Sequence, residues 1–276
     1  MQVAVIQMVS TSRVDANLQR AQALLEHAAA QGALLAVLPE YFCLMGSDEH
    51  AKVAAREVPG DGPIQQFLAA TARRLGMWIA AGSLPLACSD PVRVFNSTLV
   101  FDPQGRSVAR YDKMHLFAFD RGAEHYAEAD SIVAGSQPVA FSLPDAQATD
   151  GIGWRVGLSI CYDLRFPELY RALCAPQPCD ALLVPAAFTH TTGKAHWEVL
   201  LRARAIENQC YVLASAQGGR HDNGRRTFGH SMIVDPWGEV LDVLPEGEGV
   251  VCAELSAARI AEVRSQLPAL RHRKLG

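Results

Sequence analysis

No apolar run in this chain approaches the ~18 residues that cross a bilayer as a helix. The opening MQVAVIQM carries no basic flank, no long apolar stretch and no small-residue cleavage site, so neither a membrane span nor a secretory leader is expected, and a cytoplasmic protein is. Charge of one sign is scarce as well. The 25 Lys and Arg against 29 Asp and Glu leave a net charge of -4, which gives no general attraction for nucleic acid or an anionic membrane. The terminal RHRK is short and reads as a solvated tail. Seven cysteines, at 43, 88, 161, 174, 179, 210 and 252, are odd in number and scattered, so they make no disulfide frame and are expected to stay reduced. There is no HExxH, and Cys174 with Cys179 has no second close pair, so no metal site is expected. GxxxxGK[ST], GxGxxG after a strand and GxSxG are all missing, so no nucleotide or other cofactor is expected, and serine-hydrolase chemistry has no support. No Pro, Gly or Ser tract is long enough to be a linker; one domain over residues 1–276 is expected.

What is present is a soluble composition, 49% hydrophobic and 20% charged, enough for a sizeable core, and alternating strand and helix patterns. QVAVIQM reads as a buried strand. Val14, Leu18, Ala21, Leu25 and Ala28 follow at helical spacing, with Ser12 as N-cap and Gly32 as stop. Pro63 to Leu75 reads as a helix ended by Gly76, and MWIAAG as the next strand. Two strand–turn–strand units follow, STLVFDPQGRSVARYDK and HSMIVDPWGEVLDV. A helix is expected from about Lys194 to Asn208, its Trp197, Leu200, Leu201 and Ala205 stripe serving as core or subunit contact. Asp120 to Gln137 and Gln217 to Arg226 read as surface loops, which sometimes form site walls. The pattern predicts a mixed α/β sheet domain with helices outside.

Three residues stand at equivalent places in this pattern. Cys161 ends the apolar run RVGLSI, ahead of a short turn and a helix with Pro167 at its first position. Glu40 follows GALLAVLP, and Lys113 follows SVARYD. Singly, such residues read as a small buried hydrophobe, a helix cap and a solvated charge. Together, at the carboxyl ends of strands where sites of α/β sheets assemble, they can converge into a nucleophile, a base and a cation.

The strings VLPEYF, YDKMHLF and GLSICYDLRFPELYRAL around these residues resemble the three blocks of the nitrilase, or carbon-nitrogen hydrolase, superfamily. The likeness continues through PAAFTHTTGKAHWEVLLRARAIENQCYVLASAQ and GHSMIVDPWGEV. Within the superfamily it is nearest the branch of deaminated glutathione amidases, with omega-amidases next. The resemblance implies a four-layer αββα sandwich, helices outside two mixed sheets, and a homodimer or higher homo-oligomer joined near the Cys161 turn and the Trp197 helix. It also implies an amidase that releases ammonia from a small carboxylate-bearing amide, with deaminated glutathione, then 2-oxoglutaramate, as substrate.

In that reading Cys161 attacks to form a thioester, Glu40 moves the protons, and Lys113 with the Tyr162 N–H steadies the oxyanion. A second glutamate after the lysine is implied. Glu124 and Glu128 both lie there, and Glu128 matches the better. Arg165 either binds a substrate carboxylate or pairs with a neighbouring acid. His190, Lys194 and His196 are expected near a strand end on the side of the triad, with His190 in the site. Two alternatives stand beside this reading. One is a nitrilase or N-carbamoyl-amine hydrolase on the same triad, and the other is a non-catalytic binding protein on the same scaffold.

Overall fold

The computed structural model describes residues 1–48, 50–121, 124–144 and 153–274. In chain order its elements are β1 (Gln2–Gln7), α1 (Val14–Ala30), β2 (Leu35–Val37), α2 (Ala51–Ala54), α3 (Pro63–Leu75), β3 (Trp78–Ala80), β4 (Leu84–Ala87), β5 (Val94–Phe101), β6 (Ser107–Asp112), β7 (Ala118–Arg121), β8 (Glu124–Ala127), β9 (Ala140–Leu143), β10 (Trp154–Leu158), α4 (Pro167–Leu173), β11 (Ala181–Ala186), α5 (His190–Asn208), β12 (Tyr211–Ala216), β13 (Ser231–Val234), β14 (Val240–Leu244), β15 (Gly249–Glu254) and α6 (Ala257–Gln266).

Two mixed sheets result. One runs β15-β1-β2-β3-β5-β4 with β6 also on β5; the other runs β14-β13-β12-β11-β10-β9. Each is built around a parallel trio, β1-β2-β3 in one and β10-β11-β12 in the other, with antiparallel strands at the flanks. The trios are buried on both faces, which is why ALLVPA and YVLASA read as unbroken apolar runs. The sheets meet face to face, β1 and β2 on β12 and β6 on β9. Val5, Val37, Val156, Leu183 and Leu213 lie in the core they share with the underside of α4 and α5. A second cluster, including Ile6, Leu25, Leu68 and Ile79, sits under α1 and α3. Burying each such side chain stabilises by about 1.5–3 kcal/mol. Helices therefore cover the outside of both sheets, as the resemblance implies.

The departures from the sequence reading have identifiable causes. Ser12 does not cap α1, because its hydroxyl and N–H both bind Asp222. Instead Asn17, in the first turn, accepts from the Thr11 N–H and donates to the Thr11 and Cys43 carbonyls. The helix expected from Lys194 starts four residues earlier, at His190, with Thr189 as its cap. Gly193 in its first turn masks the periodicity, and it is glycine because a Cβ there would lie 2.3 Å from that of Phe228. Asp120 to Gln137 is not simply irregular: β7 and β8 pair as a hairpin, and a 3-10 turn, Glu128–Asp130, follows. Trp197 is core, fully buried against Phe188, with its indole N–H on the His230 carbonyl at 2.8 Å.

Candidate active site

Glu40 lies three residues beyond β2 and Lys113 one residue beyond β6. Gly82 lets the chain leaving β3 run against the Leu38–Pro39 backbone beside Glu40; it sits at φ +58, where a Cβ would stand 2.0 Å from the Pro39 carbonyl oxygen. Cys161 is placed differently from the sequence reading. β10 stops at Leu158, and the thiol opens a 3-10 helix, Cys161–Arg165, that precedes α4. The agent of this early turn is Asp163. Its buried carboxylate accepts the Ile160 N–H at 2.8 Å and the Tyr111 hydroxyl at 2.7 Å, and the His115 N–H at 3.0 Å. Tyr111 and His115 flank Lys113, so one carboxylate ties the cysteine turn to the lysine strand. Leaving such donors unpaired inside a protein costs about 1–3 kcal/mol each.

The backbone is strained at two points of the site. Cys161 has φ +50 and Tyr41, next to Glu40, has φ +56, in the region non-glycine residues rarely occupy. Conformations of this kind cost of order 1–3 kcal/mol and collect where function demands them.

Four side chains meet in this buried setting. Glu40 Oε1 accepts from Lys113 Nζ at 2.8 Å and from Asn96 Nδ2 at 3.0 Å, and Oε2 accepts the Ala187 N–H at 2.9 Å. The Cys161 thiol is buried beside Glu40. Lys113 is fully buried and gives its remaining donors to Glu128, at 2.9 Å to Oε1 and 2.8 Å to Oε2. Glu128 accepts in addition from the Tyr41 hydroxyl at 2.9 Å and the Phe117 N–H at 2.8 Å. Each carboxylate is thus held by several donors, the condition under which charge is tolerated out of water.

The electrostatics follow from that geometry. Burial works to discharge Lys113, but Glu128 and Glu40 overcome it and hold the ammonium well above its ordinary pKa. Burial also works to protonate Glu128, yet Lys113 and the Phe117 N–H keep it below the usual carboxylate value. For Cys161 burial and then Glu40 prevail over Lys113, so the thiol is pushed well above its ordinary pKa. The resting nucleophile is therefore a protonated thiol beside its base, and proton transfer must accompany attack.

Three of the four side chains, all but Lys113, open onto a cavity. Glu40, Glu128, Cys161, Tyr162 and Arg165 all line it, as do Phe117, Phe188, Thr189, Thr192 and Arg225. Among the described residues Arg165 pairs with no acid. Its guanidinium lies over the Phe188 ring at 5.2 Å and donates to His196 Nδ1 at 3.2 Å. His190 is not among the lining residues: it starts α5 with its ring edge-on to Phe228, 6.0 Å between centroids, and Lys194 is exposed on the same helix. The side chain of Glu124 falls outside the described residues. Cys174 and Cys179 meet Cys210 in the core, but among the described residues no group of three His, Cys, Asp or Glu is set to hold a metal ion.

Sequence reasoning missed Asn96, Asp163, Tyr41, Arg225 and the Ala187 N–H. Asn96 carried a signal, an amide inside the apolar strand VFNSTLVF, and so did Asp163, two residues past the nucleophile. Arg225, in the basic loop after β12, carried none that distinguished it from Arg220 or Arg226.

Known proteins share this arrangement of the chain. The Carbon-nitrogen hydrolase family pattern matches residues 2–265. The deaminated glutathione amidase of Synechocystis sp. is 42% identical over 272 residues, covering 98% of this chain and 97% of that protein. The omega-amidase NIT2 of Danio rerio is 36% identical over 274 residues, 99% of this chain and 94% of its own. The crystal structure of Saccharomyces cerevisiae Nit3, a member of branch 10 of the nitrilase superfamily, superposes with a TM-score of 0.86 at 29% identity, covering 100% of this chain and 97% of that one. With a family pattern that runs from β1 into α6 and full-length relatives on the same sandwich, the chain belongs to the carbon-nitrogen hydrolase family, enzymes that cleave carbon–nitrogen bonds.

Proposed function

We propose that residues 1–276 form one catalytic domain that hydrolyses the amide of a small, carboxylate-bearing substrate through a thioester on Cys161. The observation that carries this reading is the Glu40–Lys113–Glu128–Cys161 cluster, which opens onto a cavity that also presents Arg165. As Sγ bonds to the amide carbon, Glu40 takes the thiol proton. The C–N bond then breaks, and Glu40 passes that proton to the leaving nitrogen. In the second half Glu40 takes a proton from water, hydroxide adds to the thioester carbon, the C–S bond breaks and the sulfur recovers its proton. The Tyr162 N–H follows the nucleophile directly and serves the oxyanion. Lys113 has its N–H groups already engaged, so it reaches the oxyanion by giving up one of its two contacts to Glu128; Glu128 is a positioning residue for that lysine.

Deaminated glutathione is the substrate this reading favours, supported by the names of the full-length relatives and by an arginine held over Phe188 with no carboxylate partner among the described residues. The ammonia expected from the sequence holds only for a primary amide such as 2-oxoglutaramate. In deaminated glutathione the γ-amide nitrogen belongs to cysteinylglycine, so that dipeptide leaves instead. Omega-amidase activity on 2-oxoglutaramate is the second reading, favoured by the same cavity with a smaller leaving group. The test is a kcat/KM series on deaminated glutathione, 2-oxoglutaramate, succinamate, N-carbamoyl amines, propionamide and simple nitriles, following the amine product of each. The two 2-oxo substrates should exceed propionamide by about tenfold or more, since a paired carboxylate is worth roughly 1.5–3 kcal/mol. A maximum at propionamide or at a nitrile contradicts the assignment.

The same reading takes the protein to be cytoplasmic, consistent with seven free thiols, and homo-oligomeric. Because Trp197 is internal, the contact falls to the outer face of α5, where Val199 is 68% exposed and Ile206 48%, beside Trp237 of the neighbouring hairpin at 53%. Light scattering should report a dimer or larger species; a monomer mass at every concentration contradicts it. No helix among the described residues is long and apolar enough to cross a membrane.

A further inference from the structure

A second hollow adjoins the catalytic cavity, and the two have Tyr41 and Arg225 as common wall. Ser47, Asp48, Lys52 and Asn223 complete its polar lining. The hollow is built. Asn223 donates to the Gly46 carbonyl at 2.6 Å and accepts the Arg225 N–H at 2.9 Å, so the loop carrying the arginine is tied to the loop that follows Glu40. Asp48 is spent on the first turn of α2, accepting the His50 and Ala51 N–H groups at 2.8 and 2.9 Å. Lys52 lies over the Tyr41 ring at 5.5 Å, and Arg225 over the Tyr126 ring at 5.1 Å. Arg225 makes no ion pair among the described residues. Among the described residues, Arg225 is thus a cation facing this hollow with no acid paired to it.

The direction of the chemistry says what this charge is for. Glu40 delivers the proton to the departing nitrogen, so the leaving group lies on the Glu40 side of the thioester carbon. Tyr41 is the next residue, and beyond its ring is the second hollow. Arg165, by contrast, stands on the cysteine turn, on the acyl side. We propose that the hollow behind Tyr41 is a leaving-group subsite, in which Arg225 binds the carboxylate of an anionic amine such as a dipeptide. This assignment rests on the thiol-amidase reading above and adds the side from which the amine is recognised. A substrate with a carboxylate at each end would span Arg165 and Arg225, and a primary amide would leave the second hollow unused.

The experiment compares three substrates: deaminated glutathione, the same molecule with its glycine carboxylate converted to the carboxamide, and 2-oxoglutaramate. In the wild-type enzyme kcat/KM for the acid should exceed that for the carboxamide by about tenfold or more, the effect of losing one charge-assisted hydrogen bond. In Arg225→Gln that ratio should fall to within about twofold, while Arg225→Lys, a point charge without the fork, should keep part of it. The loss should appear chiefly in KM for the acid, and deaminated glutathione should suffer more than 2-oxoglutaramate. A ratio near one in the wild type, or a ratio unchanged in Arg225→Gln, overturns the subsite and leaves the amidase reading standing. Failure of the wild type to hydrolyse any of the three overturns the amidase reading itself. If Arg225→Gln loses its cooperative melt, the wild-type ratio and that of Arg225→Lys decide the matter.

Discussion

Cys161→Ala should lower kcat by about 10⁵-fold or more, because removal of a nucleophile forfeits the covalent route and leaves only binding and electrostatic assistance. The fold should survive. The side chain lost is small, and alanine meets the same left-handed backbone at φ +50 that cysteine already tolerates. Thermal unfolding should therefore stay within about 1 kcal/mol of wild type. Turnover within tenfold of wild type would remove Cys161 from the chemistry. Slow alkylation of the resting enzyme would not, because the buried thiol beside Glu40 is protonated until substrate arrives. In a labelling experiment with iodoacetamide at neutral pH, a reaction slower than that of a model thiol is the expected result.

Lys113→Met should have the next largest effect, on activity and stability together. Loss of an oxyanion donor lowers kcat by about 10²–10³, and the variant also leaves Glu40 and Glu128 facing each other without their cation. Breaking a buried pair in this way costs about 3–5 kcal/mol. The pH dependence separates this cause from simple loss of packing. In the wild type the Glu128 pKa is depressed, so its stabilising contribution is full above its ordinary value of about 4.5 and is lost as pH falls below it. In the variant, burial without Lys113 raises the carboxylate pKa instead. The variant is then least unstable at low pH and loses stability as pH rises through the raised pKa. Urea unfolding should show a difference from wild type at pH 8 that shrinks markedly by pH 5. An equal difference at both values, or a kcat within tenfold of wild type, contradicts this account of Lys113.

Much of the architecture was legible because the fold buries its central strands on both faces. QVAVIQ, ALLVPA and YVLASA could hardly be anything else, and the apolar spacing of Pro63 to Leu75 ends at a glycine that the structure places at φ +61. Two things obscured the rest. Short edge elements such as β4, β9 and the β7–β8 hairpin lack the length for a periodicity to show. Elsewhere side chains override local pattern: Asp163 ends β10 early by taking the Ile160 N–H, and Phe228 requires the glycine that disguises the start of α5. At the site, Glu40, Lys113 and Cys161 were visible because each follows a recognisable strand. Asn96, the Ala187 N–H and Arg225 were not, because their roles depend on which strand ends lie side by side. His190 was placed in the site by its nearness to a strand end, but the helix begins at that residue and turns its ring to Phe228.

The thioester on Cys161 is the claim on which the rest depends, and it can be observed directly. Glu40→Gln, slowed in both halves of the reaction, and the wild type should each be mixed with deaminated glutathione, quenched in acid across a time course that extends to many wild-type turnovers, and weighed intact and after proteolysis. A transient acyl adduct is expected on the peptide containing Cys161, formed more slowly in Glu40→Gln but longer-lived there once formed, released by hydroxylamine and absent from Cys161→Ala. Formation of product by the wild type with no adduct at any time in either protein, or an acyl group found on another cysteine, would contradict it.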